Sequence, residues 1–316
     1  MGRYPEADLS KLAISSVRDR ATKVSVNEFA RPLDPAAARV VLEALPDQLA
    51  GTALREIVAR TVAAHRAGRP VVAMVGGHVV KTGVSPALIA LLDRGVIRHL
   101  AMNGAAAIHD VEIARIGRTS EDVEANLHQG RFGMVDETGD FMNDAMRTGA
   151  GRAEGLGECW GRAVEESQAP HRAVSLLAAA WRCRVPATVH VAIGTDTIHH
   201  HPRCDGAALG ESTLRDFRIF AATLAEARGA VALNFGSAVL MPEVFLKALS
   251  VARNLGADLA GLTTANFDQI QHYRPRLNVV ERPPRGADGG RGYSITGHHE
   301  LMIPLFSAAV LAGLEA

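Results

Sequence analysis

Residues 71–104 read VVAMVGGHVVKTGVSPALIALLDRGVIRHLAMNG, and the fold follows from how this stretch divides. Val71–Gly76 is an unbroken apolar run, the pattern of a strand covered on both faces. It stops at Gly76-Gly77-His78. Pro86–Leu92 has helical spacing, with Ser85 placed to cap it and Pro86 suited to the first turn. Ile97–Met102 is a second apolar run and stops at Asn103-Gly104. A strand, a helix and a strand in this order make the two strands parallel neighbours.

The alternation continues outward. Upstream, Pro35–Leu45 and Thr52–Ala67 show helical spacing, and Leu54, Ile57, Val58 and Val62 share one face of the second. Downstream, helices are expected over Ala107–Ile116, His171–Cys183, Thr213–Ala227, Pro242–Asn254 and His299–Leu311. Strands are expected over Ala187–Ile193, Ala230–Phe235, Leu259–Thr264 and Tyr293–Thr296. Residues 130–158 are rich in glycine and turn formers and read as an excursion of broken helices. Residues 281–292, ERPPRGADGGRG, read as a loop. The fold class is therefore α/β, a doubly wound and mostly parallel sheet covered by helices on both faces. Residues 1–33 read as an N-terminal arm, and 34–316 as one α/β domain.

The chain has 316 residues and equal numbers of basic and acidic side chains, 34 each, so no basic surface for nucleic acid stands out. No apolar run approaches the roughly 20 residues that span a bilayer. The N-terminus lacks the apolar core of a secretory signal. Three cysteines, Cys159, Cys183 and Cys204, form no paired spacing, which suits a reducing cytoplasm. Only four of the basic residues are lysines: Lys11, Lys23, Lys81 and Lys247.

Small and amide residues gather where the apolar runs stop: Gly76-Gly77-His78, Asn103-Gly104, Asn234 with Gly236-Ser237, and Thr263-Thr264 with Asn266. In a parallel sheet these ends share one edge, where open α/β sheets bind ligands and helix N-termini favour phosphate. No G-x-G-x-x-G fingerprint is present. Lys81-Thr82-Gly83 adds a cation, a hydroxyl and bare backbone near that edge. The longest polar insertion at a strand end is IGTDTIHHHPRCDGAALGES, residues 193–212, which carries Asp196, His199, His200, His201, Cys204 and Asp205. A plain connection needs far fewer polar groups.

Three segments resemble deoxyhypusine synthases. Asn103–Asp110, NGAAAIHD, resembles that family's T-G-A-N-x-x-H-D. Val185–Gly210 resembles I-P-V-x-x-P-x-x-x-D-G-x-x-G, with a longer insert carrying the histidines. Arg253–Asp268, RNLGADLAGLTTANFD, resembles R-N-G-A-D followed by N-T-A-x-x-F-D. The resemblance implies a Rossmann-like NAD-binding fold, usually assembled as a homotetramer with sites at subunit interfaces. The family transfers an aminobutyl group from spermidine to a protein lysine, with NAD as a temporary hydride acceptor. Its imine-forming lysine lies in G-G-G-x-x-K-H-H. Here Gly236–Glu243 reads GSAVLMPE, with Glu243 near the lysine position and Lys247 one turn on. The family's acidic run after its last motif is replaced by Gln269–Pro275. The expectation is an NAD-dependent relative acting on another small amine or alcohol, rather than deoxyhypusine synthesis itself.

The candidate catalytic residues are His109, His199, His201 and Glu243, since imidazole and carboxylate groups carry acid/base work. The candidate cofactor contacts are Thr82, Gly83, Asn103, Gly104, Asp110, Asp205, Gly236, Ser237, Thr264 and Asp268. Expected partners are a small-molecule substrate and further copies of the chain, with no nucleic acid and no membrane. A second reading is a metal-assisted hydrolase or lyase using residues 196–205. One or two of His199–His201 would then join Asp196, Cys204 or Asp205, and His298 or His299. The metal-free site is the preferred reading. A third is a ligand-binding relative without catalysis.

Overall fold

The computed structural model describes residues 3–315. Six strands form one sheet, parallel throughout: β2 (Val71–Val75), β3 (His99–Asn103), β5 (Ala187–His190), β6 (Val231–Phe235), β7 (Thr263–Asp268) and β8 (Arg291–Thr296). Strands β1 (Thr22–Ser25) and β4 (Arg118–Glu121) pair separately and antiparallel. The helices are α1 (Pro35–Ala44), α2 (Leu49–Arg66), α3 (Gly77–Lys81), α4 (Ser85–Asp93), α5 (Gly104–Ile116), α6 (Val123–Leu127), α7 (Asp136–Gly151), α8 (Leu156–Glu166), α9 (Leu176–Arg182), α10 (Gly206–Leu224), α11 (Leu240–Asn254), α12 (Tyr273–Pro275), α13 (Arg282–Arg285) and α14 (His299–Glu315).

The order across the sheet is β5-β3-β2-β6-β7-β8. Counting only these strands along the chain gives 3-2-1-4-5-6, the order of a doubly wound dinucleotide-type sheet. The chain winds outward from β2 to one edge, returns to pair β6 against the other side of β2, and winds to the opposite edge. The two halves part between β2 and β6, so the crevice at the carboxyl ends of these strands lies at the topological switch point.

Every residue of β2 is buried, which its unbroken apolar run requires. Val71, Ala73 and Val75 face the core shared with α2, α4, α5 and α14, while Val72 and Met74 face α10 and α11. Strand β6 alternates likewise, with Val231, Leu233 and Phe235 toward the first layer and Ala232 toward the second. The Phe235, Phe267 and Phe306 rings, 5.0–6.1 Å apart in pairs, join β6 and β7 to α14.

Several spans differ from the sequence reading: α10 starts at Gly206, seven residues before the expected Thr213, α9 starts at Leu176 instead of His171, and β5 ends at His190 instead of Ile193. Strand β7 runs over Thr263–Asp268, four residues beyond the expected Thr264 end, because Gly261 (φ +76°) turns the chain just before it. Residues 130–158 contain two regular helices. Their glycines are contact points, since a Cβ on Gly139 would lie 2.3 Å from the His201 ring and one on Gly149 2.4 Å from Cys159. Residues 276–285, expected within or beside a loop, are helical: a π-helical run over Arg276–Glu281 leads into α13.

Residues 15–30 are tied to the body of the fold. Ser15 and Asp136 exchange backbone contacts with Met134 and Ser15, Val17 is buried, and Gly83 (φ +73°) packs on Phe29. The Arg20 side chain is 8% exposed and pairs with Glu112 on α5 at 2.8 Å.

Candidate active site at the switch point of the sheet

At the crevice two glycines touch. Gly76 follows β2 and its N–H donates to the Phe235 carbonyl at 2.9 Å, while Gly236 follows β6 and its N–H donates to the Phe267 carbonyl at 3.0 Å. A Cβ on Gly76 would lie 2.3 Å from the Gly236 oxygen. Gly236 has φ +64°, and a Cβ there would meet the His299 ring at 2.6 Å. The bare backbone here comes from close approach and from a left-handed turn. Ser237 continues the turn, and its Oγ accepts from Met241 N at 3.2 Å at the start of α11. Asn234 donates to the Ser237 carbonyl at 3.0 Å and to Asn266 Oδ1 at 2.6 Å, which locks the turn to β7.

Three imidazoles border this crevice. His299 is buried against Gly236, and its Nε2 lies 3.3 Å from the Phe267 carbonyl and 3.8 Å from Asp268 Oδ1. A carbonyl only accepts, so Nε2 carries the hydrogen and Nδ1 is the acceptor nitrogen. Burial lowers the His299 pKa, opposed by Asp268 and by this carbonyl. His78, exposed, stands 5.6 Å from His299 between ring centres. His109 on α5 is half-buried, with its Cδ2 3.4 Å from a Cβ built on Gly77. Its Nδ1 lies 2.7 Å from Thr119 Oγ1, whose hydroxyl donates to Glu112 Oε2 at 2.5 Å. Burial, with help from Lys81, Arg20 and His78, lowers its pKa to about 4, so His109 is neutral near pH 7. Lys11, Lys23 and Lys247 each pair with a carboxylate, whereas half-buried Lys81 pairs with none among the described residues.

One strand outward, Asp196 presses on Gly104 so closely that a Cβ there would fall 1.9 Å from Asp196 Oδ2. Burial raises the Asp196 pKa to about 6, and its Oδ2 has no hydrogen-bond partner. His199 Nδ1 accepts from the backbone N–H groups of Gly194 (3.1 Å) and Asp196 (3.3 Å), and its Nε2 lies 3.8 Å from Asp196 Oδ2. A cavity of about 290 Å³ opens beside this pair, walled by Leu127, Phe132, Met134 and His200. The larger cavity of about 840 Å³, between α1, α2 and α14, is lined by alanines, valines and arginines and holds no histidine. Its Arg39 and Arg55 donate to backbone carbonyls.

The structure therefore sorts the expected residues. His109, Asn103, Gly104, Gly236, Ser237 and Asp268 reach the carboxyl edge of the sheet, and His199 lies beside it on Asp196. The Asn103 side chain caps α5 by accepting from Ala106 N at 2.9 Å. The others are turned to different work. Asp110 is fully buried and accepts from Ser175 Oγ (2.6 Å), Leu176 N (2.7 Å) and Leu177 N (3.2 Å), so it caps α9. Asp205 is exposed and caps α10 through Ala207 N and Ala208 N. Gly83 is covered by Phe29 of the arm. The Thr82 hydroxyl donates to the Val79 carbonyl at 3.0 Å and closes α3. Thr264 is buried near the amino end of β7, away from the edge, because that strand starts later than its sequence pattern indicates. Glu243 is held by Lys247, by Arg274 at 3.4 Å and by Asn278 at 2.9 Å.

The three consecutive histidines point to three places. His199 faces Asp196, and His200 Nε2 donates to the Gly133 carbonyl at 3.0 Å. His201 is buried against α7, with Nε2 3.5 Å from Asp136 and 3.9 Å from Asp140. The Asp136, Asp140 and His201 ligand atoms lie within 4.8 Å of one another. Arg203 brings its own cation there, 3.3 Å from Asp140, and its backbone N–H contacts His201 Nδ1 at 3.3 Å. That contact leaves the hydrogen of neutral His201 on Nε2, facing the carboxylates. As it stands the cluster is an ion-pair network. His78 and Asp196 belong to the edge too, although the sequence reading gives His78 no role and Asp196 one only in the metal-assisted reading. The Gly-Gly-His ending and the buried strand before the loop were their signals.

No protein-family model and no curated protein sequence matches this chain. Solved structures do. Unliganded AgrE superposes with a TM-score of 0.50 at 16% identity, over 90% of this chain and 34% of that one. ArgZ, an arginine dihydrolase of the cyanobacterial ornithine-ammonia cycle, gives 0.49 at 16% identity, over 81% and 31%. A conserved LOR/SDH protein of Methanococcus maripaludis S2 gives 0.48 at 13% identity, over 93% and 72%. The chain spans about a third of the length of AgrE and ArgZ. At such identities the AgrE likeness shows a shared Rossmann-like fold. Among the described residues no helix is long and apolar enough to cross a membrane.

Proposed function

We propose that this chain is an NAD-dependent enzyme that acts on a small amine or alcohol by transient hydride transfer. The observation that carries the reading is the contact of Gly76 with Gly236 at the switch point of a 3-2-1-4-5-6 sheet. The residues fit a dinucleotide. Two side-chain-free turns meet where any Cβ would collide, α5 and α11 begin on the same edge, and Lys81 has no carboxylate partner among the described residues. AgrE, which shares the fold, has been crystallised with ornithine and NAD+.

Gly76, Gly77, Gly236 and Ser237 would line the dinucleotide with backbone and a hydroxyl, and Lys81 would face its phosphates. Asp268 at the end of β7 would accept from a sugar hydroxyl. Nicotinamide supplies reversible hydride acceptance when bound. His109 offers a neutral Nε2 to take or return a proton at the substrate, and Asp196 with His199 holds the substrate's donor group. The buried, unpartnered Asp196 oxygen favours a cationic or strongly donating group, and Leu127, Phe132 and Met134 suit a short hydrocarbon. Imine formation on a lysine is not part of this reading, because Lys247 is exposed and paired with Glu243.

The test is NAD+ titration by calorimetry with wild-type, Asp268→Ala and Gly76→Val proteins. Saturable binding is expected, weakened about tenfold or more in Asp268→Ala by loss of one charge-assisted bond and abolished in Gly76→Val. Absence of NAD+ binding to the wild type, or binding indifferent to both changes, would overturn the proposal.

A further inference from the structure

The His109 ring is held from behind by residues that no substrate would touch. Thr119 is buried at the centre of this arrangement. Its hydroxyl has one hydrogen and gives it to Glu112 Oε2 at 2.5 Å, so Oγ1 can only accept from His109 Nδ1 at 2.7 Å. Glu112 is buried too, and its second oxygen accepts from Arg20 Nη2 (2.8 Å) and Thr138 Oγ1 (3.1 Å). Both carboxylate oxygens are thus occupied, and the carboxylate cannot rotate away to release Thr119.

The pieces come from separate parts of the chain. His109 and Glu112 are one turn apart on α5, Thr119 is on β4, Thr138 on α7, and Arg20 on the N-terminal arm. The pairing of β1 with β4, with Val24 opposite Thr119, fixes the arm beside this row. A ring held this way presents Nε2 as a bare acceptor beside Gly77. We propose that Thr119, Glu112 and Arg20 are positioning residues that lock His109 in its Nδ1–H tautomer, so that Nε2 faces the crevice ready to accept a proton. This makes the N-terminal arm part of the site, although no arm residue need touch a ligand. The inference rests on the crevice being the site, but the lock itself is readable without any ligand.

The charged and titratable groups around the ring are Lys81 and His78 on α3, Arg20 on the arm and Glu112 on α5. Removing Arg20 takes away one of the cations that hold the imidazole neutral, so the midpoint of His109 should rise.

Ring-nitrogen NMR on uniformly 15N-labelled full-length protein tests the lock, with the His109 signals assigned by their loss in His109→Gln. Nδ1 should carry the hydrogen in at least about ten of eleven molecules, as one strong bond dictates. Thr119→Val should lose that preference, Thr119→Ser should restore it, and Arg20→Met should raise the titration midpoint. A wild-type ring protonated on Nε2 would overturn the proposal. So would a Thr119→Val protein that keeps its melting temperature and its tautomer. Failure of the wild type to bind NAD+ would instead strike the cofactor reading alone.

Discussion

Gly236 carries two constraints at once: a left-handed backbone at φ +64° and a buried imidazole 2.6 Å from where a methyl would stand. Gly236→Ala should therefore cost about 1–3 kcal/mol from the backbone alone. The melting temperature should drop and NAD+ affinity should fall further than stability does. A variant with wild-type melting temperature and wild-type affinity would contradict this. Asp216 is the other telling residue. It is a buried residue of α10 and accepts from Gly157 N (3.0 Å) and Val189 N (2.7 Å). Burial pushes its pKa up to about 8, against the opposing pull of these N–H groups. The folded chain then holds a proton that the unfolded chain releases near pH 4. The stability this proton gives is full below about pH 4 and is lost as pH rises through about 8. Asp216→Asn keeps an acceptor for both N–H groups and removes the titration. Urea unfolding from pH 5 to 8 should show a fall in wild-type stability that the variant lacks, with slopes differing by up to about 1.4 kcal/mol per pH unit. Parallel curves would mean that Asp216 is ionised in the fold.

Among the elements, α9 depends on a residue from another helix. Asp110, which its motif marks as a cofactor contact, satisfies two orphan N–H groups at the start of α9 and the Ser175 hydroxyl. Asp110→Ala should cost about 2–4 kcal/mol in unfolding free energy, since three buried donors lose their acceptor. NAD+ affinity of the folded fraction should be unchanged. A stable variant with lost affinity would return Asp110 to the cofactor site. The N-terminal arm is the second such element. Arg20→Ala leaves the Glu112 carboxylate buried without its cation, at a cost of about 3–5 kcal/mol. Chemical denaturation would read this directly, and a loss below 1 kcal/mol would show that the pair is not buried in solution.

For the molecule as a whole, a ligand that binds only the folded state should stabilise it by mass action. NAD+ at a hundred times its dissociation constant should add about 2.7 kcal/mol and raise the melting temperature by a few degrees. Spermidine or another small amine added afterwards should raise it again if the Asp196 pocket is the substrate niche. No second shift with any small amine or alcohol would remove that part of the reading. Much of this architecture was legible in local pattern. The apolar runs at 71–76, 97–102 and 230–235 lie within a residue or two of β2, β3 and β6, because strands buried on both faces have no polar positions. The sequence pattern places β7 too early because Leu259–Leu262 is as apolar as a strand, yet the chain turns within it at Gly261. Its span includes Asn266, held by Asn234 across the sheet and by Gln271 just beyond the strand, and Asp268, which faces His299 across the crevice. The helices of 130–158 were hidden because glycine needed for close packing and glycine needed for a turn look alike in sequence.

By itself, the sequence determined the alternation of strands and helices, the parallel sheet and the edge on which a site would form. Those follow from hydrophobic periodicity and from small residues at strand ends, both local properties. Tertiary structure alone decided which polar residues share that edge. Asp110, Asp205 and Glu243 are as polar and as suggestively placed as Asp268. The Asp110 oxygens are claimed by the start of a helix far along the chain, Asp205 by the start of its own helix, and Glu243 by Lys247, Arg274 and Asn278, while Asp196, His199 and His109 keep an atom free. Whether a side chain is spent on the fold or left for chemistry depends on which donors, near or distant in the chain, reach it, and the folded arrangement sets that.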